Sequence, residues 1–186
     1  MSTITVVVII VVILIIILLW GISVYNKLVR LSNLKDEAWS GVDVQLKRRF
    51  DLTPNLVETV KAYAAHENKT LQEVIDARAA ISAATTQDAR IEAENSMTAT
   101  LRSLFAVSES YPELKASANF GKLQDELSSL ENELQMARRY YNGTVRNFNS
   151  AIQMFPAVLI SKNLGYRAAA FFGTDDESKE PVRVKF

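Results

Sequence analysis

His66 is the only histidine in the chain and cysteine is absent, so the common acids, bases and nucleophiles of enzyme chemistry are nearly missing. His66-Glu67 opens like the zinc-protease pattern H-E-x-x-H, which sets two imidazoles one helical turn apart so that both reach one metal. The second imidazole would come from position 70, which is Thr. A single His near a helix end more often meets the carbonyl-rich C-terminus of that helix. The lack of Cys also removes thiolate catalysis, Fe–S clusters and Cys-type zinc sites. There is no glycine-rich phosphate loop and no G-x-S-x-G elbow. The carboxylates of Asp125 and Glu126, and of Glu131 and Glu133, are near neighbours in sequence and point to different helix faces, as solvated flanks do. No catalytic residue, cofactor or metal is expected.

Two further groups have unusual residue types for their setting. Lys47-Arg48-Arg49 looks like a patch for anionic lipid, but successive helical residues are about 100° apart and do not share a face. Residue 48 also lies about 35 Å of helix beyond the apolar segment described below, well outside a Debye length of about 8–10 Å. With Leu46 and Phe50 inward, Arg49 falls beside the core, where an ion pair between helices is the expected role. Asn142 and Asn149 are seven residues apart on one helix face beside an apolar seam. Asn is a poor helix former, so each should have a reason to be there: a register-fixing residue in a bundle seam, or the wall of a polar groove.

The elements that must hold these residues begin with a segment without charge. Residues 1–26 carry no charged side chain, and residues 4–24 are almost entirely Val, Ile and Leu. Such a helix rises about 31 Å, the thickness of a bilayer's hydrocarbon core. A cleaved signal peptide would have a basic start, a shorter apolar run and an A-x-A-like site, and this segment has none of them. Trp20 and Tyr25 fall where an interfacial aromatic belt belongs. Lys27, Arg30 and Lys35 follow the span and nothing basic precedes it except the amino terminus, which predicts an N-terminus outside and a C-terminal domain in the cytoplasm. Lys and Arg total 21, equal to Asp and Glu at 21, so net charge suggests no nucleic-acid partner.

Beyond the span, apolar residues recur at three- and four-residue steps through Leu28, Leu31, Leu34, Ala38, Val42, Leu46, Phe50, Val57 and Val60. This predicts one long helix to about His66. Pro54 should kink it, although Thr53-Pro54 could equally cap a new helix. Thr70-Leu71-Gln72-Glu73 reads as a capping box that starts the next helix. That helix weakens over 82–87 and resumes through Leu101, Leu104 and Phe105 until Tyr111-Pro112. The clearest helix carries Phe120, Leu123, Leu127, Leu130, Leu134, Ala137, Tyr141, Val145, Phe148 and Ile152, an a/d seam of over four heptads. Phe155-Pro156 ends it and opens a short fourth helix to about Asn163.

The predicted fold is all-α: a single N-terminal transmembrane helix continues into an elongated antiparallel four-helix bundle, three helices long and one short, with a flexible C-terminal tail. The corresponding divisions are an anchor at 1–26, a bundle at 27–172 and a charged tail at 173–186, the last too polar to pack by itself.

Several short motifs, taken together, resemble the LemA family. They are Tyr25-Asn26-Lys27-Leu28-Val29, Ala38-Trp39-Ser40, Val44-Gln45-Leu46-Lys47-Arg48-Arg49, Asp51-Leu52-Thr53-Pro54-Asn55-Leu56-Val57, Tyr63-Ala64-Ala65-His66-Glu67 and Ala77-Arg78. Asn119-Phe120, Leu123-Gln124, Ala137-Arg138, Tyr141-Asn142, Phe148-Asn149 and Phe155-Pro156 continue the match over nearly the whole chain after the anchor. Thr53 departs from the family pattern, where an aliphatic residue commonly precedes the proline. The resemblance implies a single-pass protein of the bacterial inner membrane with a cytoplasmic four-helix domain, and it implies no reaction and no cofactor.

Two functions are expected. The first is a non-enzymatic membrane-anchored scaffold that self-associates or shapes the membrane. Its partners would be the lipid bilayer and further copies of the chain, the latter through apolar surface left uncovered at Leu28, Leu31, Leu34 and Trp39. The alternative is an adaptor that presents its bundle, or the terminal segment 181–186, to a membrane protease, transporter or sensor complex.

Overall fold

The computed structural model of the chain describes residues 3–173. These form α1 (Thr3–Tyr63), α2 (Asn68–Ala83), α3 (Gln87–Ser108), α4 (Pro112–Lys115), α5 (Ala118–Gln153) and α6 (Ala157–Asn163), with no strand among the described residues. The all-α expectation holds. The tail at 173–186 lies outside the described residues apart from Gly173. Two compact units arise, each using part of α1 and part of α5: one joins α1 up to Trp39 with Tyr140–Ala169, and the other joins Ser40–Arg139 with Ala170–Gly173.

The larger unit is a four-helix arrangement. Asp43 of α1 meets Arg90 of α3, and farther along Arg49 meets Glu94 and Thr98, so α1 and α3 run in the same direction. Arg49 also meets Glu131 of α5, while Arg48 meets Glu133. Leu52 lines a cleft with Glu126 and Ser129, so α5 runs opposite to α1. Between them α2 returns alongside both α1 and α3, with the Arg78 guanidinium stacked 4.0 Å from the Phe50 ring. Short turns joining antiparallel neighbours are the economical bundle topology.

Three sequence expectations change here. The second long helix is not collinear: it is a hairpin of α2 and α3 broken at 84–86. No apolar residue stands in a core position between Ile81 and Ile91, and Thr86 takes an extended conformation and accepts a hydrogen bond from the Ala89 N–H at 3.2 Å, so α3 starts afresh with its own cap. The capping box at Thr70 does not form, because α2 begins two residues earlier at Asn68, with Glu67 at its cap position and no side-chain cap bond. Finally, α1 passes through Pro54 without ending, which removes the reading of Thr53-Pro54 as a new helix start. The buried Thr53 hydroxyl donates to the Arg49 carbonyl at 2.7 Å in the turn that the proline disturbs.

The seam expected along α5 is present in both units. Phe120, Leu127, Leu130 and Leu134 are buried in the larger unit, and Tyr141, Val145, Phe148 and Ile152 in the smaller. In the smaller unit Leu28, Phe148, Ala151 and Ile152 form the core, with Val24, Leu31, Ala157, Ile160, Tyr166 and Ala169 packed against it. α6 ends in a Schellman turn: Gly165 has φ 73°, its N–H bonds to the Lys162 carbonyl, and the Tyr166 N–H bonds to the Ser161 carbonyl. That turn delivers Tyr166 edge-on to Phe148, with ring centroids 5.5 Å apart.

Leu134 is fully buried, so Leu134→Ala should cost about 2–5 kcal/mol through lost transfer energy and a residual cavity. Lys122→Ala, on the exposed flank of the same helix, should stay within about 0.5 kcal/mol. Denaturant unfolding of the two variants in detergent checks the difference, and equal effects would displace the seam.

Candidate functional site

The strongest concentration of polar chemistry lies inside the larger unit. On α1 the inward positions run Val42, Leu46, Arg49, Thr53, Leu56 and Val60, all buried. Arg49 thus occupies a core position and is 1% exposed. Burying a guanidinium is tolerable only with partners for its charge and its donors. Its Nη2 donates to Glu94 Oε2 at 2.6 Å and to the Glu94 carbonyl at 3.1 Å. Its Nη1 donates to Thr98 Oγ1 at 2.8 Å and to Glu131 Oε2 at 3.2 Å. Nε has no hydrogen-bond partner.

Each carboxylate is in turn shared. The second oxygen of Glu94 accepts from Arg90 Nε at 2.9 Å, and Arg90 reaches Asp43 at 3.8 Å. The second oxygen of Glu131 lies 3.6 Å from Arg138 Nη1, and the Arg138 guanidinium stacks 4.3 Å from the Phe172 ring. The result is an alternating chain, Asp43–Arg90–Glu94–Arg49–Glu131–Arg138, of three cations and three anions. It threads α3, α1 and α5 and is most buried at the Arg49–Glu94 link, where the side chains are 2% and 1% exposed. Its donors and acceptors are directed at one another, an arrangement suited to fixing helix register.

The inter-helix ion pair expected for Arg49 is therefore found, with the partners now identified. Glu131 is not a solvated flank: it faces Arg49 from the half-buried edge of α5, while Glu133 reaches Arg48. Arg90, Glu94 and Thr98 were missed from sequence. Their signal was available, because counting back in steps of three and four from Leu101 lands on Thr98, Met97 and Glu94, all buried.

The other singled-out residues lie in the smaller unit. Asn149 gives its whole amide to one residue: Nδ2 donates to the Ala169 carbonyl and Oδ1 accepts from the Ala169 N–H, both at 2.9 Å. It thereby fastens the segment that follows α6. Asn142 is half-buried two turns earlier on α5. Leu28 is 1% exposed, so α6 and α5 already cover the apolar surface expected to be open there. Leu31 and Leu34 are half-buried. Trp39, also half-buried, packs edge-on against Tyr141 with ring centroids 5.3 Å apart.

His66 lies exposed in the turn after α1, three residues past its end. Next to it, Glu67 accepts a hydrogen bond from the Tyr111 hydroxyl at 3.0 Å, which ties the α1–α2 turn to the α3–α4 turn. That bond, with lesser help from burial and from the carboxylate's charge, pushes the Tyr111 phenol above its ordinary value. Among the described residues no three of His, Cys, Asp or Glu cluster closely enough to hold a metal.

A family model described as the LemA family matches residues 38–186. A Metamycoplasma hominis protein named Protein LemA is 28% identical over 154 residues, which is 82% of this chain and 70% of that protein.

Removing one side of the buried pair should be costly. Glu94→Gln leaves the Arg49 charge without its closest counter-ion and should destabilise by about 3–5 kcal/mol. Arg49→Met combined with Glu94→Leu should recover most of that loss, because an apolar pair of similar size carries no desolvation penalty. Unfolding of the three forms in detergent measures the coupling. A single change as mild as the double one would mean that the cluster does not hold the helices.

Proposed function

The chain belongs to the LemA family, and from that premise we infer that it works as a membrane-anchored helical scaffold with no reaction of its own, associating laterally with further copies. The observation that carries this reading is α1. It contains an 18-residue window of mean hydropathy 3.4, none of it buried against protein, and the same helix ends among the core residues Leu56 and Val60. A soluble protein would not leave such a segment uncovered, and the segment is long enough to cross a bilayer. The charged side chains of the larger unit favour a holding role too, since the most buried of them are spent on one another.

In this reading the N-terminus is outside and both helical units face the cytoplasm of a bacterial cell. Lys27 and Arg30 support that orientation, being exposed immediately after the apolar segment and available to headgroups on the side where basic residues are retained. Lys35 contributes less, because its ammonium sits 5.0 Å from the Phe148 ring and 3.1 Å from Asp36. Contact between copies is assigned to the exposed side of α1 around Asn33 and Glu37, since Leu28 is enclosed within the chain.

The natural absence of Cys makes labelling clean. Ser2→Cys should react with an impermeant thiol reagent in intact cells, and Ser110→Cys, exposed beyond α3, should not. The reverse pattern overturns the orientation. Asn33→Cys and Glu37→Cys should give crosslinked dimers or larger species in native membranes. A monodisperse monomer without crosslinks would overturn self-association, and a stoichiometric foreign protein in the adduct would establish the adaptor instead.

A further inference from the structure

We propose that the α5–α6 corner is a second membrane contact: Met154, Phe155 and Leu159 insert at the boundary between lipid headgroups and acyl chains, beside the span. The proposal rests on the reading that the apolar part of α1 crosses the bilayer.

Position is the first argument. Within the smaller unit Ile160 of α6 lines an apolar surface cleft of about 450 Å³ together with Ile17, Leu18, Gly21, Ile22 and Tyr25 of α1. Ala157 and Ile160 also pack on the cluster containing Val24 and Leu28. At about 1.5 Å per residue, Gly21 and Ile22 lie less than about 5 Å from the end of the apolar run at residue 24. α6 is therefore beside the last turns of the span, at the depth where a bilayer changes from hydrocarbon to headgroup.

Exposure is the second. Phe155 is 80% exposed, Met154 64%, Leu159 61% and Leu164 42%. One exposed Leu is ordinary, but four large apolar side chains uncovered within eleven residues form a patch that water should not meet. They neighbour Ile160 in sequence, and Ile160 lines the cleft on the apolar part of α1, so on the reading that this part crosses the bilayer the patch lies beside lipid.

Charge is the third. From residue 134 to residue 174 the chain has no acidic side chain, while Arg146, Lys162 and Arg167 fall in the part that belongs to this unit. Lys162, between Leu159 and Leu164, and Arg167, three residues past Leu164, are exposed. Long basic side chains there can keep their charge among anionic headgroups while their stems lie along acyl chains. An apolar face bordered by basic residues and free of acids is the composition of an interfacial segment. A protein partner would not need that one-sided charge, and a lipid surface explains it.

The full chain, reconstituted in nanodiscs containing anionic lipid, allows a direct test. With Trp20→Phe and Trp39→Phe as background, Phe155→Trp supplies the only indole. Lipids brominated near the top of the acyl chain should quench it several-fold more than Tyr140→Trp in the same background, a residue also exposed in this unit but more than three turns back along α5. Equal, weak quenching at both positions would overturn the proposal. A third form, retaining Trp20 alone with Trp39→Phe, separates the two readings. If Trp20 is quenched and the indole of Phe155→Trp is not, the span stands and the second contact falls; if Trp20 is not quenched either, the span reading itself fails. Helical circular dichroism of each form confirms that the comparison is made on folded protein.

Discussion

The four-helix unit depends on one buried guanidinium. Arg49 stands where the spacing of its neighbours calls for an aliphatic residue, and its charge can be held only if α3 and α5 each bring a carboxylate to it. Apolar contacts are tolerant: a helix that slides by one turn exchanges one Leu for another at little cost. The Arg49 geometry does not tolerate this, because a slide of one turn, about 5.4 Å, would separate it from Glu94, Thr98 and Glu131 together. Buried charge of this kind adds little net stability compared with an apolar core, yet it penalises every misregistered alternative. The balance of three cations against three anions gives each buried charge a counter-ion, although each still carries its desolvation cost. For a unit built from helices with repetitive apolar seams, that discrimination is what the Leu and Val positions cannot supply.

How much of this was legible depended on how strongly each stretch was patterned. The seam of α5 was readable residue by residue, since ten apolar positions keep one phase from Phe120 to Ile152. The extent of α1 was readable for the same reason, and the apolar phase continued correctly across Pro54. The α2–α3 hairpin was not, because the span 82–90 carries Ser, Ala, Thr, Gln, Asp and Arg without an apolar phase, and a stretch that mixes good helix formers with cap and turn residues is compatible with either an exposed helix or a turn. What decided it was Thr86 used as a cap, a role that propensity alone does not distinguish from Thr within a helix. Glu94 escaped notice because a carboxylate in a core position looks like an interruption of the pattern until its partner is known. Arg49 was recognised on α1, and the complement it requires was therefore inferable in kind, though not by position.

Thr53 shows how a proline inside a helix is accommodated. The residue before a helical proline is pushed away from helical geometry, and Pro54 itself gives no N–H to the carbonyl of Phe50. An aliphatic side chain there would only pack. Thr53 is equally buried, but its hydroxyl donates to the Arg49 carbonyl, adding a local bond within the turn the proline weakens. The same turn presents Arg49 to Glu94, so backbone support and the buried ion pair share one stretch of α1.

Along its length α1 meets three different surroundings, and its sequence changes with each. In the apolar segment large hydrophobic residues lie on all faces and none is buried by protein, which is stable only where the solvent is itself apolar. From Lys27 to Ala38 burial narrows to one side, with Lys27, Arg30, Asn33, Asp36 and Glu37 exposed on the rest. Beyond Ser40 the inward stripe is continuous and includes the charge at Arg49. The change from all-round to one-sided hydrophobicity falls at residues 24–28. α6 packs at that same transition through Ala157 and Ile160. It packs on the cluster that encloses Leu28, while its own Leu159 stays exposed on the other side.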